Sequence, residues 1–147
     1  MKKETENPHK SITSKSTPVK AAAIRDFERF GMPEDIPLLL SHAKEDSSIA
    51  IRLMAADAVS DILSRLRLGN PLSEEDREKI YALCGRIHPI NNNAIYLVYG
   101  ALGGIHSLEV ILSGFKFAEA EVRLGAAVGL QRFIISYTTL GDKDVED

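Results

Sequence analysis

The chain has no tryptophan, one cysteine and few aromatic residues, with five Phe and four Tyr among 147 residues. A lone thiol, Cys84, cannot close an internal disulfide, which argues for a reducing compartment and makes cytoplasmic the expectation. Long apolar runs are also missing. None approaches the roughly 20 residues of a membrane-spanning helix, and Lys2 and Lys3 are not followed by the apolar stretch of a secretory signal. Basic excess is absent as well: the net charge is −3 and the pI about 5.8, so nucleic acid is a disfavoured partner. No segment alternates with period two between hairpin turns, which disfavours a sheet.

What remains is helical periodicity. Residues 1–17 carry four lysines against two glutamates, and Ile12 is their only aliphatic residue after Met1. Such a stretch reads as a flexible basic tail, because it has little apolar surface to offset its ordering entropy. Residues 141–147 read as a short acidic tail. The folded domain is then 18–140. Apolar spacing predicts helices over about 18–30, 34–44, 48–68, 73–87, 92–103, 107–115 and 119–137. Gly31, the Gly69-Asn70-Pro71 run and His88-Pro89 act as stops, and Ser73 with Asp76 resembles a capping box.

One phrase recurs. With Val19, Ile51, Ala94 and Val122 as position zero, position four reads Ala23, Ala55, Val98, Ala126 and position seven reads Asp26, Ala58, Ala101, Gly129. Position eight reads Phe27, Val59, Leu102, Leu130, and position eleven Phe30, Ile62, Ile105, Phe133. At about 100° per residue these positions share one helix face. Position seven is small in every copy but the first, which permits close helix approach. A period of this kind is the signature of stacked helix pairs.

The phrases Glu45-Asp46…Ile51-Arg52…Ala55-Ala56…Ala58-Val59 and Glu121-Val122-Arg123…Ala126-Ala127…Leu130 resemble the HEAT-repeat family, in particular its short bacterial, phycobilin-lyase-like variety. The resemblance covers about 18–137 and implies an all-α, right-handed α-solenoid of about three and a half HEAT-like helix pairs. It implies that the second helix of each pair lines the concave side, and that Lys20, Arg52 and Arg123 brace neighbouring turns. The third copy departs from the pattern, with Ile95 in place of the basic residue.

Positions two, five, six and nine lie opposite the core face. They read Ala21, Ile24, Arg25, Glu28; Leu53, Ala56, Asp57, Ser60; Tyr96, Tyr99, Gly100, Gly103; and Leu124, Ala127, Val128, Gln131. The last two rows carry no formal charge. Either they form a partner groove, or side-by-side helix packing half-buries them. In the first case Leu53, Tyr96, Tyr99, Leu124 and Val128 are the apolar contacts, and Arg25, Asp57 and Asp61 set orientation at a polar rim.

Signals for chemistry are poor. Gly100-Ala101-Leu102-Gly103-Gly104 lacks the strand and the Lys-Ser/Thr of a phosphate loop. Asp57 with Asp61, and His106 with Glu109, are incomplete as metal sites, so no metal and no cofactor are expected. Cys84 sits in an apolar column as an inert thiol. The chain also lacks the His-Glu pairs of the family's hydroxylase branch and the Trp of its glycosylase-like branch. The expectation is a non-enzymatic protein-interaction module, a scaffold or adaptor that binds another protein on its concave helical surface. A second reading, supported by the repeat type alone, is a non-catalytic or half-lyase subunit assisting bilin attachment to antenna proteins. A homodimer that buries uncapped ends is a further expectation.

Overall fold

The computed structural model describes residues 3–68 and 72–146. Met1, Lys2, Asp147 and the expected stop at Gly69-Asn70-Pro71 lie outside the described residues. The elements are α1 (Pro8–Ser11), α2 (Thr17–Phe30), a 3-10 turn (Pro33–Asp35), α3 (Ile36–Glu45), α4 (Ile49–Leu68), α5 (Glu74–Cys84), α6 (Ile95–Leu102), α7 (Gly104–Gly114) and α8 (Ala120–Glu146). Among the described residues there is no strand, so the fold is all-α.

Local chemistry explains most boundaries. Pro18 sits in the first turn of α2, where a missing N–H costs no hydrogen bond. Gly31 closes α2, its N–H donating to the Phe27 carbonyl at 2.7 Å. The Asp35 carboxylate accepts the Met32 N–H at 2.8 Å and so shapes the turn into α3. The Ser73 hydroxyl accepts the Asp76 N–H at 3.2 Å and starts α5. Gly103 and Gly104, with φ of 70° and 86°, turn the chain directly from α6 into α7, a conformation a side chain disfavours. α6 begins at Ile95 rather than 92, because the Asn92 side chain accepts the Ala94 N–H and donates to the Ala43 and Arg52 carbonyls.

Packing follows chain order. α2 packs on α4, α4 on α6, and α6 on α8, forming a row; α3 lies on α4 and α5, α5 also on α6, and α7 on α6 and α8. Positions four and seven of the repeated phrase are buried in all four helices of the row. Position eleven is not uniform. Ile62 is buried, whereas Ile105 is exposed because α6 has ended and Ile105 belongs to α7.

α6 and α8 approach to backbone contact. A Cβ on Gly129 would lie 2.5 Å from the Tyr96 carbonyl oxygen and 2.7 Å from its Cβ, and one on Gly125 would lie 2.7 Å from the Asn93 carbonyl. A Cβ on Gly100 would run into the Gly129 carbonyl. The glycines at 100, 125 and 129 are there because the two backbones touch.

Both expected tails differ from the structure. Residues 3–17 are not a flexible tail: they include α1, bury Pro8 and Ile12, and fasten to α2. The Asp26 carboxylate accepts the Glu4 N–H (2.6 Å), the Thr5 N–H (2.8 Å) and the Thr5 hydroxyl (2.6 Å). Composition missed this because the fastening is mostly polar, and its acceptor sits on another element. At the other end α8 runs through Glu146, so residues 141–146 continue a helix.

Gly129→Ala is expected to destabilise the protein by about 1–3 kcal/mol, since a methyl there forces two backbones apart. Gly85→Ala, at an exposed position with helical φ and no contact under 3.5 Å, should be neutral or stabilise by up to about 1 kcal/mol. Urea midpoints of the two variants against the parent test the contrast.

Candidate partner-binding surface

Tyr96 and Tyr99 are 1% and 5% exposed, so neither offers a surface to a partner. Tyr99 lies 6.2 Å from the Tyr81 ring in a stacked arrangement, and the Tyr81 hydroxyl donates to the Gly103 carbonyl at 2.7 Å. Burial pushes both Tyr96 and Tyr99 above the ordinary phenol value. The physical reason is what packs beside α6: Tyr81 of α5 and His106 of α7 lie against Tyr99, and Gly114 of α7 and Gly129 of α8 lie against Tyr96, so the face opposite the core is covered too. Position five makes this plain. Ile24, Ala56 and Tyr99 are buried there, and only Ala127 on α8 is exposed. Position nine behaves alike, with Ser60 and Gly103 buried and Gln131 exposed.

Leu124 is 66% and Val128 40% exposed, one turn apart on α8 with Ala127 and Gln131 beside them. These four residues form an uncharged stripe. Leu53 is also exposed, but its neighbour one turn on is Asp57 rather than an apolar residue. Of the five apolar contacts expected, the structure therefore keeps Leu124 and Val128 together and sets Leu53 apart on α4. Ala127 and Gln131 stood in the same sequence row as Leu124 but were not singled out; the signal was that this row belongs to the last repeat.

The polar residues divide as well. Arg25 is engaged by the N-terminal segment, its Nε donating to Glu4 Oε2 at 2.6 Å and its Nη2 to Oε1 at 2.9 Å. Asp57 and Asp61 lie on α4 near Glu28 of α2. Burial, then Asp61, raises Asp57 above its ordinary value, with Arg132 offsetting part of the effect. Glu28 is raised by burial and by the Asp61 and Asp57 carboxylates. Arg132, one turn beyond Val128, reaches Asp61 at 3.9 Å and the Ser64 hydroxyl at 3.4 Å, which ties α8 to the acidic strip on α4. Among the described residues no group of three or more His, Cys, Asp or Glu side chains is placed to hold a metal ion.

Lys20, Arg52 and Arg123 lie in the first turn of α2, α4 and α8. Lys20 crosses from α2 to Asp46 at 2.8 Å, where the side chains are 13% and 4% exposed. Burial alone would raise Asp46; Lys20, the Ser48 N–H and His42 outweigh it and hold the carboxyl below its ordinary 3.8. Arg52 donates to the Asp46 carbonyl at 2.7 Å, and Arg123 to the Phe117 and Ala118 carbonyls at 2.9 and 2.6 Å. Cys84 is buried and its thiol is pushed up to about 12, so it carries almost no thiolate at neutral pH. His106 stands edge-on to Tyr81 at 4.8 Å. No described helix is long and apolar enough to cross a membrane.

These shifts set opposite pH slopes. Asp26 and Asp46 are lowered from 3.8, so their contribution is present above that value and lost as pH falls. Asp57 and Glu28 are raised from 3.8 and 4.5, so their native forms hold protons that the unfolded chain has released, and stability falls as pH rises through that window. Asp57→Asn should therefore raise the urea midpoint at neutral pH, with the gain vanishing at about pH 2.5, well below the ordinary 3.8, where both states are protonated. Equal midpoints at both values would rule out a repulsive role for Asp57.

Comparison with protein-family models found no match, and searches of curated proteins and of solved structures returned no significant match.

Proposed function

We propose that this chain is a right-handed, HEAT-like α-solenoid that serves as a non-catalytic protein-interaction module, and that its docking surface is the outer side of α8. The repeated phrase and the serial packing of α2, α4, α6 and α8 support the solenoid reading. The observation that carries the functional reading is the contrast at positions five and nine. Positions that are buried on α4 and at α6 and its C-cap are exposed on α8. A surface shaped to receive a helix, uncharged along Leu124, Ala127, Val128 and Gln131, fits an apolar helix face of another protein. The acidic strip at Asp57, Asp61 and Glu28 gives that helix a polar border, and basic residues along its edge would match it. Because the row is already packed, docking needs little reorganisation.

The test is affinity capture from a native extract with three baits: parent, Leu124→Asp/Val128→Asp, and Ile49→Asp as an exposed apolar control on α4. All three should show equal helicity by circular dichroism. A partner recovered by the parent and by the control should weaken by about 30-fold or more with the α8 variant, as truncating interface anchors does. Equal recovery by all three baits would remove α8 as the docking surface.

A further inference from the structure

Asp26 is the one residue that breaks the small-residue rule at position seven, and its surroundings explain why. On α8, the residues that receive α6 are Gly125, Gly129, Arg132 and Phe133, at positions three, seven, ten and eleven. On α4 the same side turns toward α2: Arg65, two turns beyond Ala58, donates to the Glu28 carbonyl and to the Gly31 carbonyl. Position seven thus faces the preceding helix of the row.

On α2 the equivalent side reads Ala22, Asp26, Arg29 and Phe30, close to the series on α8. Among the described residues no long helix precedes α2 to fill it. Glu4 and Thr5 lie there instead, held by three hydrogen bonds to the buried Asp26 carboxylate and by the Glu4–Arg25 pair. This strap is narrower than a helix. It leaves Val19 at 40% and Phe30 at 39% exposure, whereas Ile51 and Ile62, their equivalents on α4, are buried.

The complementary surface exists on the same molecule. At α6 the residues that enter the α8 seat are Tyr96 and Gly100 on the helix and Asn93 in the turn before it, at positions two, six and minus one. On α8 these positions are Glu121, Leu124 and Val128, all exposed. One copy therefore carries both halves of the contact that joins α6 to α8, one bare and one covered by the strap.

We propose that residues 3–6, anchored on Asp26, form an end cap that keeps α8 of a second copy from docking on α2. The cap stops head-to-tail assembly and leaves the α8 stripe to a different protein. A carboxylate at position seven reinforces the stop, since an incoming Leu124 would meet a buried charge in place of Ala or Gly. The inference rests on α8 being a docking face. Partner capture by the parent tests that reading alone, and self-association of the uncapped chain tests only the cap.

The experiment is light scattering across a concentration series on the full chain and on Asp26→Ala, which removes the strap's acceptor and restores a small residue. The parent should stay monomeric. Asp26→Ala should self-associate at least about tenfold more tightly, with mass rising past the dimer because the contact is heterologous. Adding Leu124→Asp/Val128→Asp to the same chain should return it to monomer. A mixture of that triple variant, whose α2 seat alone is open, with the parent, whose α8 alone is open, should give a discrete 1:1 complex. If circular dichroism shows Asp26→Ala unfolded, Asp26→Asn takes its place with the same expected direction, since it removes the charge and leaves one acceptor oxygen for the strap's three donors. A folded uncapped chain that stays monomeric, or association that the α8 substitutions leave unchanged, would overturn the proposal. So would a parent that forms a closed dimer through α8.

Discussion

Position seven of the repeated phrase sets how closely successive helices of the row can approach, and most of the structure follows from that distance. Ala58 and Ala101 are buried between neighbours, and Gly129 lets the α8 backbone touch Tyr96 directly. Close approach brings dispersion contacts and excludes water from both flanks of each helix, so aliphatic residues on either side become core. It also dictates composition elsewhere. Gly100 and Gly125 are required because the partner backbone is already in contact, which outweighs the roughly 1 kcal/mol that glycine costs in an exposed helix.

Charge is organised around the same row. Asp26 and Asp46 are nearly inaccessible carboxylates, and each is surrounded by donors: backbone N–H groups and Thr5 in one case, Lys20, Ser48 and His42 in the other. Both work as clasps between segments far apart in sequence. Asp57, Asp61 and Glu28 lie closer to one another than isolated carboxylates would, with Arg132 as a partial counterion. An acidic strip of this kind adds little to stability.

Burial decides between surface and core on the two tyrosine-bearing turns of α6. Tyr96 and Tyr99 look like interface residues by composition, yet α7, α8 and Tyr81 enclose them. The same periodic positions on α8 are open. Repeat position therefore matters more than residue type: an aromatic in an inner repeat is packing, and a Leu or Val in an outer one is accessible surface. The N-terminal segment makes the converse point, since polar residues there are held against α2 by the buried Asp26 carboxylate.

The sequence alone determined the helical class, the approximate extent of seven helices and the core positions four and seven, because side-chain period and the Gly and Pro stops act within a single helix. It also marked Asp26 as an exception without giving its cause. Tertiary structure alone decided which opposite-face positions are covered, that Leu124 and Val128 stay accessible while Tyr96 and Tyr99 do not, and that residues 3–17 are fastened to α2. Each of these depends on what a distant segment brings to the site. Local periodicity reports which side of a helix is apolar, but not how many of its sides have neighbours.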